Sequence, residues 1–295
     1  MQAIAPFIQR RPLPKPFRSL TPEFASPMTC IMAIRCQDGI VVTSDTQMTD
    51  QFGMKHHAAK ISEVGEHSIL VSSGAERYMP ALARNVRKAV ESRNEAEDLE
   101  EVLVRANRLY SEEVGPPARL TGKHVPEMQA IFAAYDERVE REESKFRLFE
   151  WQPPAPPVPR SYYATGGSGL LSADFVLQKA DFFLVDTGTD WSKLSSTTVL
   201  RLSLILLRMV QTYHSDVSGY SFSLIEGNKK PRDVLASEFF PQYSPTDPKE
   251  IRDQFAMLMA SLIQDMGKAN LFRFAQSWGI IEKLEQAGIK ITLET

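Results

Sequence analysis

The chain is poor in the features that mark secreted or membrane proteins. It has only two cysteines among its 295 residues, Cys30 and Cys36, six positions apart on one predicted strand. That spacing points both side chains to one face but keeps them too far apart to bridge easily, so we predict no disulfide. No apolar run approaches the roughly 20 residues that cross a bilayer, and the N-terminus lacks the apolar stretch of a secretory signal. We therefore expect a soluble protein of a reducing compartment, most simply the cytoplasm.

The chain also has no excess of basic charge, with 34 Lys and Arg against 37 Asp and Glu. The formal net charge is −3 and the pI is near 6.0, which leaves no basic field for nucleic acid or an anionic membrane. The adjacent His56 and His57 lack a third ligand at a recognisable spacing, so we predict no metal site. The glycine-rich run 166–169 lacks the Gly-Lys-Ser/Thr of a phosphate loop, which argues against nucleotide binding. We accordingly expect no cofactor.

What the chain does contain is 43% apolar residues, enough for one large core with a smaller appendage. Residues 1–28 have prolines and arginines but no periodicity, which is typical of an extended or disordered arm or a propeptide. A PxxP-type docking ligand is an alternative for this arm. Residues 29–235 carry the main pattern of strands and helices. Residues 236–295 predict two more helices, 249–266 and 269–287, as a C-terminal helical extension packed on the core.

The order of the predicted elements indicates an α+β fold. Asp38-Gly39 is a strong turn signal between two strands, the second of which runs from 40 to 44. Apolar residues at helical spacing predict two successive helices over 79–90 and 99–109. The remaining predictions are strands at 68–73, 128–135, 145–151, 161–165 and 220–225, helices at 173–179 and 197–213, and a proline-rich loop, 153–159, that cannot join a central sheet. Because strands and helices come in runs, two antiparallel sheets between helix pairs fit better than a parallel sheet.

Candidate catalytic residues accompany the first strands. Thr29 precedes the hairpin, Asp45 follows sixteen residues later at the end of the return strand, and Lys60 precedes the next strand. Gly74 lies in a turn, where close backbone approach is sterically easy. A threonine at a chain start can use its own α-amine, with a reference pKa of about 8, to accept the hydroxyl proton. A lysine nearby lowers the pKa of that amine, a carboxylate holds the lysine, and backbone N–H groups stabilise the oxyanion.

Further motifs follow in the same order. They are Ala134-Tyr135-Asp136, the turn 165–169 and the run 215–219 at the end of the long helix. Over about residues 29–227 the whole set resembles the proteasome β-subunit and HslV-like family of N-terminal nucleophile (Ntn) hydrolases. The resemblance implies a four-layer αββα sandwich. It implies Thr29 as nucleophile, Asp45 and Lys60 as its polar support, Gly74 as oxyanion donor, Ser168 as a hydrogen-bonding partner near the threonine amine, and Asp216 and Ser218 as counterparts of the family's Asp-x-x-Ser-Gly.

Three departures from the family pattern bear on activity. The segment between Asp45 and Lys60 is one residue shorter than usual. Asp216 lies two residues before Ser218, not three, so Ser215 is a candidate for the place of the acid. Met28 stands where self-processed subunits have glycine. If translation starts at Met28, removal of the initiator methionine exposes Thr29 directly, as in bacterial HslV-like relatives.

The resemblance implies a threonine-type peptidase that hydrolyses peptide bonds of a peptide or an unfolded protein. It also implies a homo-oligomeric ring, with an ATPase unfoldase as a candidate partner. Two alternatives stay open at this point. One is a catalytically silent structural subunit in which residues 1–28 cap Thr29. The other is an amidase of the same fold that acts on a small molecule.

Overall fold

The computed structural model describes the chain in five longer stretches, 29–49, 54–120, 128–167, 190–213 and 217–240. Short helical pieces are added at 173–174, 177–178, 180–181, 184–185, 257–258, 260–262 and 264–265. The predicted arm 1–28 and the predicted helix 269–287 lie outside the described residues. No helix in the described part of the chain is long and apolar enough to cross a membrane.

The described stretches form two five-stranded sheets and a separate hairpin. The strands are β1 Ile31–Arg35, β2 Ile40–Ser44, β3 Gln47–Thr49, β4 Lys55–His57, β5 Ile61–Gly65, β6 Ser68–Gly74, β7 Met128–Tyr135, β8 Phe146–Trp151, β9 Val158–Arg160, β10 Tyr163–Gly166, β11 Ser221–Ile225 and β12 Arg232–Asp233. The helices are α1 Met79–Glu91, α2 Leu99–Leu120, α3 Glu142–Lys145, α4 Ser196–Tyr213 and α5 Ala236–Phe239. The first sheet has the order β10-β1-β2-β11-β12, the second β5-β6-β7-β8-β9, and β3 pairs with β4. All pairings are antiparallel.

The apolar side chains fall into three layers of core. Along β1, Ile31 and Ala33 pack between the two sheets, whereas Met32 and Ile34 pack on the outer face of the first sheet. This alternation follows from the two-residue period of a strand. Helix α4 covers the outer face of the first sheet, and α1 and α2 cover the outer face of the second. The result is the predicted α+β, four-layer αββα sandwich.

The β1–β2 hairpin forms at the predicted turn and also anchors a helix. The N–H of Cys36 donates to the carbonyl of Gly39 at 2.8 Å, which closes the turn. The carboxylate of Asp38 accepts hydrogen bonds from the N–H and the hydroxyl of Ser196, both at 2.7 Å. A carboxylate in this position satisfies a free N–H at the start of α4. One short turn therefore joins the first sheet to the helix that covers it.

Most predicted elements are present with shifted ends, and some were missed. The β3–β4 hairpin and the short β12, α3 and α5 were not predicted. The loop 153–159 passes into β9, where Pro159 is tolerated because β9 is an edge strand. Within the helix predicted over 173–179, the described residues 173–174 and 177–178 are helical, and the described residues 180–181 and 184–185 beyond it are helical too.

The described part of the C-terminal extension packs on α4. Leu258 and Leu262 are buried in the outer core of the first sheet. Arg201 of α4 donates to the carbonyls of Phe239 at 3.0 Å and Met257 at 3.3 Å. Residues on both sides of the predicted boundary at residue 235 therefore pack in the same core, on the outer face of the first sheet.

The extension also caps α4. The Oδ2 atom of Asp265 accepts from the N–H of Ser195 at 2.9 Å, from its hydroxyl at 2.9 Å and from the hydroxyl of Thr198 at 2.5 Å. These contacts give the N-terminus of α4 a second acidic partner besides Asp38.

Candidate active site

Thr29 lies two residues before the start of β1, at one end of the first sheet. Only 5% of its surface is exposed. The ammonium of Lys60 donates to the Thr29 Oγ1 atom at 3.2 Å. A buried hydroxyl in contact with a buried lysine is therefore the starting point of the site.

Lys60 is held by a buried carboxylate and a carbonyl. Its Nζ lies 2.9 Å from both carboxylate oxygens of Asp45 and 2.6 Å from the main-chain oxygen of Gln47. Both charged side chains have no exposed surface. With Thr29, the Lys60 ammonium thus contacts three residues, which fixes its position.

Asp45 is positioned by an extension of the β1–β2 ladder. Its N–H donates to the carbonyl of Cys30 at 3.0 Å, and the N–H of Cys30 donates to its Oδ1 at 2.8 Å. The residue that follows Thr29 therefore aligns the carboxylate that holds Lys60.

Burial and pairing act in opposite directions on this pair. Burial raises the pKa of Asp45, and the Lys60 ammonium opposes that rise. Burial lowers the pKa of Lys60, and the Asp45 carboxylate opposes that fall. Each charge is retained because of the other. An ammonium at this position stabilises negative charge on the Thr29 oxygen and lowers the pKa of a nearby amine.

Cys30 is structural. It is buried in the outer core of the first sheet, together with Met32 and Ile34. Burial, and next the Asp45 carboxylate, raise the pKa of its thiol to about 12. Both cysteines are free thiols.

Ser218 reaches the site through Gln47. The hydroxyl of Ser218 donates to the side-chain oxygen of Gln47. Its carbonyl accepts from the N–H groups of Thr46 and Gln47, both at 3.1 Å. Because the Gln47 carbonyl also binds Lys60, Ser218 lies one residue from the network around Thr29. Gln47 was not predicted from the sequence, because it contacts Lys60 through its main-chain carbonyl, and every residue has such a group.

The other predicted site residues differ in what the structure gives for them. Gly74 ends β6 opposite Met128, with a φ of 125°, a conformation that favours glycine. Ser168 and Asp216 lie outside the described residues. Asp136, from the motif at the end of β7, forms a two-fold contact with Arg93 at 3.0 Å for each oxygen, which is a structural role.

Two further residues lie near Thr29. Gly167 packs on Thr29 itself, and Gln129 contacts Gly167. Gly167 has a φ of 88°, and a Cβ atom there would lie 2.0 Å from the carbonyl oxygen of Thr29. The N–H of Gly167 donates to the side-chain oxygen of Gln129 on β7. The run of glycines at 166–169 signals a tight turn in the sequence, but nothing in the sequence links Gln129 to it.

The two histidines have protein partners. His56 Nε2 lies 3.2 Å from a carboxylate oxygen of Glu76, and His57 Nδ1 lies 2.9 Å from the hydroxyl of Thr46. Within the described ranges, no group of three His, Cys, Asp or Glu side chains is arranged to hold a metal ion.

Comparison with known proteins assigns the family. No curated protein matches the chain closely enough to count as a relative. The family model described as "Proteasome subunit" matches residues 28–180, which is just over half of the chain and begins one residue before Thr29. The matched range holds the Thr29, Asp45 and Lys60 network and both sheets as far as β10. The chain therefore belongs to the proteasome subunit family.

Proposed function

We propose that the protein is a threonine-type peptidase whose nucleophile is Thr29. The observation that carries the proposal is the contact of one buried ammonium, that of Lys60, with both the Thr29 hydroxyl and the Asp45 carboxylate. Such an arrangement activates a hydroxyl. Burying two charged side chains is costly, so a contribution to stability alone does not account for the pair.

The proposed reaction begins with a free α-amine on Thr29. The amine takes the hydroxyl proton as Oγ1 attacks the peptide carbonyl. The N–H of Gly74 stabilises the oxyanion, and Lys60 stabilises charge on Oγ1. The proton then passes to the leaving amine, which departs and leaves an ester on Thr29. Water hydrolyses this ester and restores the hydroxyl. Ser168, Ser218 and Asp216 are proposed to hold the amine.

The mechanism requires cleavage of one peptide bond. In the chain as given, 28 residues precede Thr29, so its nitrogen belongs to the Met28–Thr29 peptide. A peptide nitrogen cannot accept the proton. Residues 1–28 are thus proposed to be a removable segment, and activity is proposed to follow its loss.

The proposed setting is a homo-oligomeric ring that receives peptides or unfolded protein, with an ATPase unfoldase as a candidate partner. Family membership supports the ring. The two free, buried thiols suit a reducing compartment such as the cytoplasm.

One second candidate has an observation in its favour. A structural subunit with the same fold needs no free amine, and the 28 residues before Thr29 suit such a role. A small-molecule amidase of this fold is a further alternative that hydrolysis of peptides would argue against.

Peptide hydrolysis by matched variants tests the proposal. The protein beginning at Thr29 is assayed with fluorogenic peptides, beside Thr29→Ala and Thr43→Val. Thr43 is a buried threonine on β2 whose hydroxyl has no hydrogen-bond partner among the described residues. Turnover in the wild type and Thr43→Val, abolished in Thr29→Ala, supports the peptidase. Turnover that survives in Thr29→Ala, or none in the wild type, rejects it.

A further inference from the structure

We propose that Gln129 is a positioning residue for Thr29 and acts through Gly167. The inference rests on the proposed function, because it concerns how the nucleophile of that site is held. Thr29 and Gly167 flank β1 and β10 of the first sheet, whereas Gln129 lies on β7 of the second. One side chain therefore joins the two sheets beside the nucleophile.

The first contact joins Gln129 to the glycine turn. The N–H of Gly167 donates to Gln129 Oε1. A Cβ atom on Gly166 would lie 3.4 Å from the same oxygen. The oxygen thus lies beside two consecutive residues of the turn and holds the turn close to β7.

The second contact joins the turn to the nucleophile. A Cβ atom on Gly167 would lie 2.0 Å from the carbonyl oxygen of Thr29, 2.6 Å from its carbonyl carbon and 3.3 Å from its Cβ. The backbone of Gly167 therefore packs directly on Thr29. Any movement of the turn changes the space available to Thr29 and the 3.2 Å contact between Oγ1 and Lys60.

The register of the second sheet adds a reason to place this role at Gln129. Gln129 pairs with Ser73, and the neighbouring Met128 pairs with Gly74. The start of β7 therefore lies beside the expected oxyanion donor and, through the glutamine, beside the nucleophile. A shift here would change the distance between the two.

The two-residue period of β7 places Gln129 on the face that meets the first sheet. Its neighbours Met128 and Ala130 are buried in the outer core of the second sheet. In contrast, Ile131 and Ala133, which share the face of Gln129, pack between the two sheets. Gln129 is half-buried at the end of this apolar row. A polar side chain in such a place is costly unless it is hydrogen-bonded, and Gln129 accepts a hydrogen bond from the glycine turn.

The experiment compares three full-length variants with the wild type. Gln129→Leu removes the acceptor at similar size, Gln129→Glu keeps an acceptor oxygen, and Gln152→Ala changes an exposed glutamine after β8 as a control. Intact mass reports release of residues 1–28, an epoxyketone-type probe reports the reactivity of Thr29, and fluorogenic peptides give kcat and KM. Thermal unfolding gives Tm for each.

We expect Gln129→Leu to lower kcat and the rate of probe labelling about tenfold, the loss that one hydrogen bond implies, with KM and Tm close to wild type. Gln129→Glu should restore most of the rate. Its added negative charge should move the midpoint of the rate–pH profile to higher pH, because a carboxylate beside the turn that packs on Thr29 raises the pKa of the Thr29 amine. Gln152→Ala should match the wild type.

Three results would contradict the proposed roles. Wild-type rates in Gln129→Leu would overturn the positioning role and leave the peptidase standing. A loss in both Gln129 variants that tracks a lower Tm would make the residue a determinant of folding only. A wild type that is neither processed, labelled nor active would instead overturn the proposed function, and this outcome is distinct from the first two.

Discussion

At the scale of single residues, the buried Asp45–Lys60 pair is central to the proposed chemistry. Two charges without exposed surface gain little net stability from their attraction, because removing each from water is costly. The contact of Lys60 with Thr29 agrees with the catalytic role that we propose for the pair.

Removal of Lys60 should leave a buried carboxylate uncompensated. We predict that Lys60→Met lowers the free energy of unfolding by about 3–5 kcal/mol at about pH 8, measured by urea denaturation. Burial already raises the pKa of Asp45, and without the ammonium the rise is larger. The folded state then binds a proton more tightly than the unfolded state, so stability falls as pH rises through the folded pKa.

The loss in Lys60→Met should accordingly be smaller at about pH 5 than at about pH 8. Lys88→Met is the matched control, since Lys88 is exposed on α1. A loss that is the same at both pH values would contradict the assignment of Asp45 as the uncompensated group.

The two thiols should be inert in the folded protein. A pKa of about 12 for Cys30, and a pKa for Cys36 that burial also raises, keep both thiols protonated at neutral pH, whereas the thiolate is the reactive form. We predict negligible reaction of the native protein with a chromogenic disulfide reagent and reaction of both cysteines after unfolding in guanidinium. Rapid labelling of the native protein would show that this part of the core opens.

Two glycines with a positive φ allow the cost of backbone strain to be distinguished from the cost of a clash with Thr29. At Gly227, with a φ of 56°, an added Cβ meets nothing within 4 Å, whereas at Gly167 it meets Thr29 at 2.0 Å. We predict that Gly227→Ala costs about 1–2 kcal/mol of stability and leaves peptide hydrolysis unchanged. Gly167→Ala should cost more and abolish hydrolysis, as urea denaturation and the peptide assay would show. Equal activity in the two variants would mean that the turn does not support Thr29.

At the scale of elements, local signals in the sequence predicted the regular strands and helices. The Asp38-Gly39 turn and the apolar spacing of α1, α2 and α4 depend on a few neighbouring residues, so these elements could be predicted from the sequence. The β3–β4 hairpin was missed because each strand has three residues and no alternating apolar pattern. Its order comes from tertiary pairing.

The candidate site divides in the same way. Thr29, Asp45 and Lys60 were predicted because their order along the chain resembles a family, and the structure brings these three together. Gln47 and Gln129 were not predicted. Gln47 binds Lys60 with a carbonyl that every residue has, and Gln129 reaches Gly167 across the two sheets, a contact that no spacing in the sequence encodes.

The N-terminus of α4 should depend on the C-terminal extension. Asp265→Ala removes three hydrogen bonds to Ser195 and Thr198, and we predict a loss of about 1–2 kcal/mol in the free energy of unfolding. Limited proteolysis followed by mass spectrometry should show faster cleavage after residue 240. Gln264→Ala, an exposed neighbour in the same segment, is the control. Cleavage at the wild-type rate in Asp265→Ala would mean that this contact does not hold the extension.

At the scale of the whole molecule, the four layers bring both sheets to Thr29. The first sheet supplies Thr29 and Asp45, and Gln129 of the second sheet contacts Gly167, which packs on Thr29. Lys60, directly before β5 of the second sheet, crosses to Asp45 of the first. The site therefore depends on the packing of one sheet against the other, and the Lys60 and Gln129 variants test contacts between them.

The central claim is that Thr29 becomes the first residue and acts as the nucleophile. Its most direct test is the intact mass and N-terminal sequence of the protein purified from its own cell, before and after treatment with an epoxyketone-type probe. We predict a chain that begins at Thr29 and carries one probe adduct on that residue. A chain that begins at Met1 and takes up no probe would contradict it.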